Sequence, residues 1–439
     1  MDNMVMRHAY VGMGLFCGLL AIFTYSAPTA HAAFPALTYR YQHHIFTIDP
    51  DTYPSWRTME EVWTYRGMKI VPPAILRVDG DDVPPLPEGF ARSMQPAWDE
   101  ESMKQTLTEK IGTSLERSAG AVTIGRSATG TIVFNGVGMT GRSVDIDITV
   151  ALTIAALEQK VTDIMLPVSE TQPSIIIEDP ELQKQGIREV VTVGESNFAG
   201  SPANRRHNIQ VGLNKFNGHL IPKGEVFSFN EVLGPVDGKA GYLKELVIKG
   251  DKTEPDYGGG LCQISSTAYR GVWEYGFPIV DRKNHSYAVS YYEPVGTDAT
   301  VYLPNPDMKF LNDSSGALLI QTHTENDKAY YIYYGTRDAR QSEVYGPLIS
   351  NRVGAPPDKF EVTPNLAPGV KRKVGDRHAG MSVVWYRTVT MPNAEPVVEP
   401  FNSIYQARPL FYQIGAEVSQ EVPPPELIPV TPELDVSVE

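Results

Sequence analysis

The sequence predicts an α+β fold: a strand-rich central domain with one helix starting at a Gly-Gly-Gly-x-Cys motif, a smaller α+β domain before it and a β-rich module after it. Three observations carry this. The chain has 439 residues, 42% of them apolar and 10% aromatic, enough for two or three domains with buried cores. Its 35 Pro, 37 Gly and 22 Tyr favour strands and turns over a helical bundle. Within the densest block, about residues 187–345, only the stretch from Cys262 to Tyr275 has clear helical spacing. There Ile264, Ala268 and Val272 share one face, and Gly276 and Pro278 end the run. A net charge of −14 argues against a nonspecific grip on polyphosphate, so nucleic acid is not an expected partner. Two cysteines exclude a disulfide-stapled scaffold and a Cys-rich zinc or iron–sulfur module.

Residues 1–33 read as a secretory signal: Arg7 and His8 precede an apolar run from about Ala9 to Tyr25, and Ala30-His31-Ala32 offers a small-residue cleavage site. The alternative is an uncleaved anchor, the one way in which this chain is expected to touch a membrane. Either way the remainder is expected to be exported, extracellular or associated with the cell envelope. Residues 34–100 are rich in aromatics and prolines and show no long helical period. Residues 101–180 read as a small α+β domain, with a helix over Ser102–Leu115, Gly-rich strands over Gly125–Gly141, a helix over Thr149–Val161, a strand over Ile164–Val168 and a connector over Pro173–Pro180. In the 187–345 block, Glu189–Val193 and Ala329–Tyr334 have strand character; in the 366–415 module, Ser382–Tyr386 does. Residues 417–439 hold five prolines and six acids without a base, the composition of a disordered tail.

Cys17 would leave with the signal, so the mature chain keeps one thiol, Cys262. A lone thiol in an oxidising exterior is either packed as a small apolar side chain or retained for chemistry. Its setting is Asp256-Tyr257-Gly258-Gly259-Gly260-Leu261-Cys262-Gln263-Ile264-Ser265-Ser266-Thr267. Gly258, Gly259 and Gly260 permit backbone conformations closed to other residues and clear the way for a substrate carbonyl. A cysteine at a helix start sits at the positive end of the dipole, which lowers the thiol pKa and supplies amide donors for an oxyanion. Gln263, Ser265, Ser266 and Thr267 could add donors, although Ser265 and Ser266 serve equally as helix-start caps. His285 is the nearest suitable base downstream, against the alternative of a surface or capping role. Asp298 is the candidate to orient its ring. A P-loop lacks its Lys and Ser/Thr, a metal site lacks CxxC or HExxH spacing, and a serine nucleophile lacks its Gly-x-Ser-x-Gly elbow. No cofactor motif and no metal site is expected.

Asn204-Arg205-Arg206-His207-Asn208-Ile209, Ile221-Pro222-Lys223-Gly224-Glu225-Val226-Phe227-Ser228-Phe229-Asn230, Gly241-Tyr242, the Gly-Gly-Gly-Leu-Cys-Gln-Ile-Ser-Ser-Thr run, His285-Ser286 and Asp298-Ala299-Thr300-Val301 together resemble the VanW domain family over about residues 187–335. The preceding segment resembles the wall-associated α+β domain that often accompanies it, and Val383-Val384-Trp385-Tyr386-Arg387 resembles the tail that often follows. The resemblance implies a peptidoglycan-modifying cysteine L,D-transpeptidase that forms 3-3 cross-links between stem peptides, or an L,D-carboxypeptidase if water resolves the thioester. Cys262 maps onto the motif cysteine and His285 onto the base, while Asp298 falls in a characteristic motif. Arg205, Asn230 and Tyr242 match positions that orient substrate or hold the fold. The competing expectation is a noncatalytic wall-binding or glycopeptide-resistance accessory protein in which Cys262 is packing. A peptidase or amidase that cuts stem peptides would keep the same residues and attack a different bond.

Overall fold

The computed structural model describes residues 34–71, 86–249 and 252–416. The expected signal segment with Cys17, and the acidic tail from 417, lie outside the described residues. Among the described residues no helix is long and apolar enough to cross a membrane.

The centre of the fold is a four-stranded antiparallel sheet, ordered Glu189–Asn197, Lys328–Gly335, Leu318–Glu325, Leu220–Ile221. It is covered on both faces, so the buried stretches of its strands, such as residues 318–320 and 329–334, read as continuous apolar or aromatic runs rather than clean alternations. One face carries Val191, Leu318, Ile320, Tyr331 and Tyr333 into the core of the central domain. The other carries Val190, Val193, Leu319, Ile332 and Tyr334 against Val122 and Ile124 of the preceding domain. The period of two thus sorts one strand's side chains between two cores, with the bulge between Val190 and Thr192 shifting the phase in the first strand.

The helix Leu261–Tyr275 lies on the first face. Its approach to strand Glu189–Asn197 is set by a glycine pair: a Cβ on Gly194 would come within 2.0 Å of the Thr267 carbonyl oxygen, and one on Gly271 within 2.6 Å of the Gly194 nitrogen. Backbone meets backbone, and Thr192 Oγ1 donates to the Gly271 carbonyl at 2.9 Å. Trp273 packs edge-on against Trp385 of the C-terminal region. The domain holds a further long helix, Ala203–Phe216, where the sequence reading found only one. Its buried face is Arg205, Asn208, Ile209, Gly212, Leu213 and Phe216, a helical spacing masked in the sequence by two polar members and a glycine.

Ahead of the central domain, the expected helices appear as Glu100–Leu107, continuing through a wider turn to Leu115, and Ile146–Gln159. They enclose a separate core with Trp56, Leu37 and Tyr39, so residues of the 34–100 region pack with this domain. Two expectations are corrected. Pro167 cannot donate to a ladder, and Ile164–Val168 divides into Asp163–Met165 and Val168–Thr171 in different sheets. The stretch read as a connector contains strand Ser174–Ile177, parallel to Ala121–Arg126. After the central domain, strands begin at Gln341 rather than 366: Gln341–Val353, Gly380–Thr390 and Val397–Tyr405 form one sheet, and Lys359–Thr363, Phe411–Gly415 and Lys371–Gly375 a second.

Candidate active site

The Gly258-Gly259-Gly260 turn delivers the chain from hairpin Lys244–Lys249/Lys252–Tyr257 into the cysteine helix. Gly260 caps that helix at φ +116°, in the left-handed region, with Arg205 and Ile209 of the neighbouring helix only 3.1 Å from where a Cβ would stand. Asn208 fixes the turn by donating to the Gly259 carbonyl at 3.0 Å. The helix begins at Leu261, so Cys262 sits in its first turn, partly buried. The amides of Leu261 and Gln263 donate to the Gly258 and Gly260 carbonyls, each at 3.0 Å.

After the helix, strand Ile279–Asp281 leads to the loop that carries His285, and the segment 297–301 returns beside it, with the Thr300 amide donating to the Lys283 carbonyl at 2.7 Å. His285 stands beside the Cys262 thiol and favours its ionised form, and its Nδ1 lies 2.6 Å from Asp298 Oδ2. Nε2 is therefore the nitrogen that meets sulfur. Asp298 is 2% exposed and its carboxylate is fully engaged: Oδ2 also accepts the His285 amide at 2.7 Å, while Oδ1 accepts from Arg282 at 3.2 Å and the Tyr405 hydroxyl at 2.5 Å. The Tyr292 ring stacks on the imidazole at 4.3 Å. The thiol has two further partners, Thr300 Oγ1 at 3.4 Å and the Val301 carbonyl at 3.6 Å.

The electrostatics follow from this geometry. Burial pushes the Cys262 thiol up, but the hydrogen bond and charge of His285, with Thr300 and the Val301 backbone, outweigh it and bring the thiol down to about 7. Burial pulls His285 down, yet its bonds to Asp298 and Cys262 and their charges raise it to about 9. Burial acts upward on Asp298 too, but the His285 bonds and charge and the Arg282 guanidinium hold it well below the usual carboxylate range. A thiolate–imidazolium pair is thus favoured between the two values.

These groups open onto a cleft of about 1560 Å³ lined by the Gly258–Gly260 turn, Cys262, His285, Tyr291, Tyr292 and Thr300, and on another side by Arg372, Lys373, His378 and Gln406 of the C-terminal region. A smaller hollow of about 220 Å³ around Phe198 and Asp327 shares no lining residue with it.

The other expected site residues divide into two groups. Arg205 and Asn230 line the cleft, though both are tied down: Arg205 bonds Ser201 and Gln263 and lies over the Tyr291 ring, and the Asn230 amide nitrogen donates to the Tyr302, Pro304 and Pro306 carbonyls. Gln263, Ser265, Ser266, Thr267 and Tyr242 do not line it; for the first four this corrects the expectation that they offer donors to substrate, while Tyr242 follows the alternative expectation of holding the fold. Gln263 donates to Ser196 and the Asn197 carbonyl. Ser265 donates to the Ala299 carbonyl, and Ser266 donates to the Cys262 carbonyl and accepts the Ala299 amide, so the two serines clasp the Asp298 segment to the helix. Thr267 bonds the Gln263 carbonyl and Ser196, and Tyr242 is core. Arg282, Tyr292, Thr300 and Tyr405 belong to the site without having been expected there. Thr300 lies within a quoted motif, Arg282 shortly before His285-Ser286 and Tyr292 midway between the two motifs; Tyr405 carried no signal.

Residues 204–334 match the model of the VanW like protein family. Over 125 residues the chain is 38% identical to the protein YoaR of Bacillus subtilis, covering 28% of this chain and 41% of that protein. Over 130 residues it is 28% identical to the vancomycin B-type resistance protein VanW of Enterococcus faecalis, covering 28% of this chain and 47% of that protein. The chain therefore spans less than half the length of either of these relatives.

Proposed function

We propose that this chain, whose residues 204–334 form a VanW-like domain, is an exported cell-wall enzyme: a cysteine acyltransferase that acts on peptidoglycan stem peptides as an L,D-transpeptidase. The observation that carries the reading is the Cys262–His285–Asp298 relay at a helix start, open to a cleft and poised as an ion pair near neutral pH. The relatedness to a vancomycin resistance protein supports a substrate in the same wall chemistry.

In the proposed cycle the Cys262 thiolate attacks the carbonyl carbon of the third stem residue. The negative charge passes to the carbonyl oxygen, where the Cys262 amide at the positive helix end is the assigned donor, those of Leu261 and Gln263 being already bonded. Collapse breaks the amide bond, and His285 gives its proton to the departing amine of the terminal D-amino acid. The side-chain amine of a second stem then attacks the thioester, loses a proton to His285 and releases the thiolate, leaving a 3-3 cross-link. Water in place of the amine yields a shortened stem.

Intact-mass measurement after incubation with a disaccharide-tetrapeptide, with chromatography of the products, tests this. Wild type is expected to carry a stem adduct short of its last residue and to produce 3-3 dimers or trimmed stems, whereas Cys262→Ala does neither. A protein with no adduct and no product, whose thiol alkylates only on unfolding, would be a noncatalytic wall-binding protein instead.

A further inference from the structure

The family match ends at residue 334, yet the site does not. Strand Val397–Tyr405 lies along the His285 loop and holds it at several points. The Gln406 amide donates to the Ser286 carbonyl at 2.7 Å, Asn284 Nδ2 to the Ile404 carbonyl at 2.9 Å, and Arg282 Nη1 to Ser403 Oγ at 2.8 Å. Trp385 Nε1 donates to the Val295 carbonyl at 2.8 Å on the loop leading to Asp298. The strand's last residue reaches the relay itself: the buried Tyr405 hydroxyl accepts the Gly296 amide at 2.8 Å and donates to Asp298 Oδ1 at 2.5 Å.

These two hydrogen bonds fix the direction of the hydroxyl. Its one proton points at the carboxylate because an ionised carboxylate can only accept and the Gly296 N–H can only donate. Burial, with the Asp298 charge beside it, pushes the phenol well up, so the donor survives at any working pH. Oδ1 otherwise has one side-chain donor, Arg282 at 3.2 Å, whose guanidinium also serves the Asp298 and Gly296 carbonyls. The other charged or titratable groups around the pair are Cys262 and Tyr292 on His285, Arg270, whose charge acts on both Asp298 and Tyr405, and Tyr269, whose ring lies under Arg282.

We propose that Tyr405 is a positioning residue of the acyltransferase: by holding Oδ1 it keeps Oδ2 on His285 Nδ1, which keeps Nε2 on the Cys262 sulfur, so that the working unit includes the C-terminal sheet. This rests on the relay proposed above. Without the hydroxyl Oδ1 keeps only the longer Arg282 bond, the carboxylate is held less firmly against turning about its Cβ–Cγ bond, and the imidazolium and thiolate lose part of their alignment.

The test is the pH dependence of iodoacetamide alkylation of Cys262, which needs no substrate, on the full chain as wild type, Tyr405→Phe and Trp385→Phe. The Trp385 variant removes a comparable bond from the same sheet without touching Asp298. Wild type is expected to show a midpoint near 7. Tyr405→Phe is expected to move it up by roughly one pH unit, about fivefold slower alkylation at pH 7, while Trp385→Phe loses melting temperature and keeps the wild-type midpoint. A Tyr405→Phe midpoint equal to wild type overturns the inference, as does an equal shift in both variants, which would mean general loosening. A wild-type midpoint near that of an ordinary thiol overturns the relay as well, and so separates the failure of one from the failure of the other.

Discussion

The cysteine helix meets two buried histidine–carboxylate systems, and they behave in opposite ways. At its N-terminal end is His285–Asp298. Towards its C-terminal end, Glu274 lies 2.5 Å from His43 Nδ1, and next to it His44 lies 2.5 Å from Glu195. Glu195 is also held by Arg117 at 2.6 Å and Arg142 at 2.5 Å. Burial lowers both of these histidines, and the Arg270 charge adds to it at His43 while competition with neighbouring His43 for a proton adds to it at His44, bringing His44 to about 4. Burial raises Glu274 to about 7. In the relay the carboxylate faces one histidine and one more distant arginine, and a thiolate on the far side rewards the imidazolium. In the second cluster two arginines have already claimed the Glu195 charge, and burial disfavours the charge on Glu274. A buried His–carboxylate contact therefore makes a base only where the surrounding charge leaves the proton wanted. The same contact elsewhere is interdomain packing that joins His43 and His44 to the central domain.

Swapping a carboxylate for its amide should separate the two systems most widely. Asp298→Asn is expected to cost turnover on the order of 10³-fold or more, since the amide cannot hold the imidazolium and presents a donor to Nδ1. Burst measurements of thioester formation would read it, and a loss below tenfold would remove Asp298 from the relay. The pH profile comes next. Acylation should be fastest between about 7 and about 9, falling below as the thiol protonates and above as His285 loses its proton. A profile still rising at pH 10 would contradict the ion pair.

Smaller effects are expected at the second cluster. His44, depressed in the fold, contributes stability that is fully present above about 6.5 and lost as pH falls through about 4, roughly 3 kcal/mol across the window. Glu274, raised in the fold, acts in the opposite sense and loses stability as pH climbs from about 4.5 through about 7. Denaturant titrations of His44→Gln should therefore flatten the acid slope. Glu274→Gln, which keeps an acceptor for the His43 amide, should change turnover less than twofold and gain stability relative to wild type as pH rises. A collapse of activity in Glu274→Gln would mean that the two ends of the helix are coupled rather than separate.

Much of this site could be read from local sequence. Three glycines before a cysteine, followed by residues of helical spacing, specify a turn, a helix start and an electropositive thiol without reference to the rest of the chain. His285 and Asp298 were legible as residue types at motif positions. The helix Ala203–Phe216 was not, because Arg205 and Asn208 occupy its buried face and are satisfied there by Ser201, Gln263 and the Gly259 and Leu243 carbonyls. The hydroxyl run after Cys262 was legible in composition but not in direction. Successive helical residues turn about 100° apart, so only the start of the helix meets the cleft, while Gln263 and Thr267 meet strand Glu189–Asn197 and Ser265 and Ser266 meet Ala299.

By itself the sequence determined the α+β character, the helix start at Cys262 and the residue types of the proposed relay, because turns, caps and periodicity are short-range properties of the chain. Tertiary structure decided which side chains reach the sulfur, which hydroxyls are spent inside, and that Tyr405, 107 residues beyond Asp298, closes the carboxylate's hydrogen-bond set. A hydrogen bond acts over about 3 Å. No sequence pattern encodes which distant strand will bring its partner within that reach.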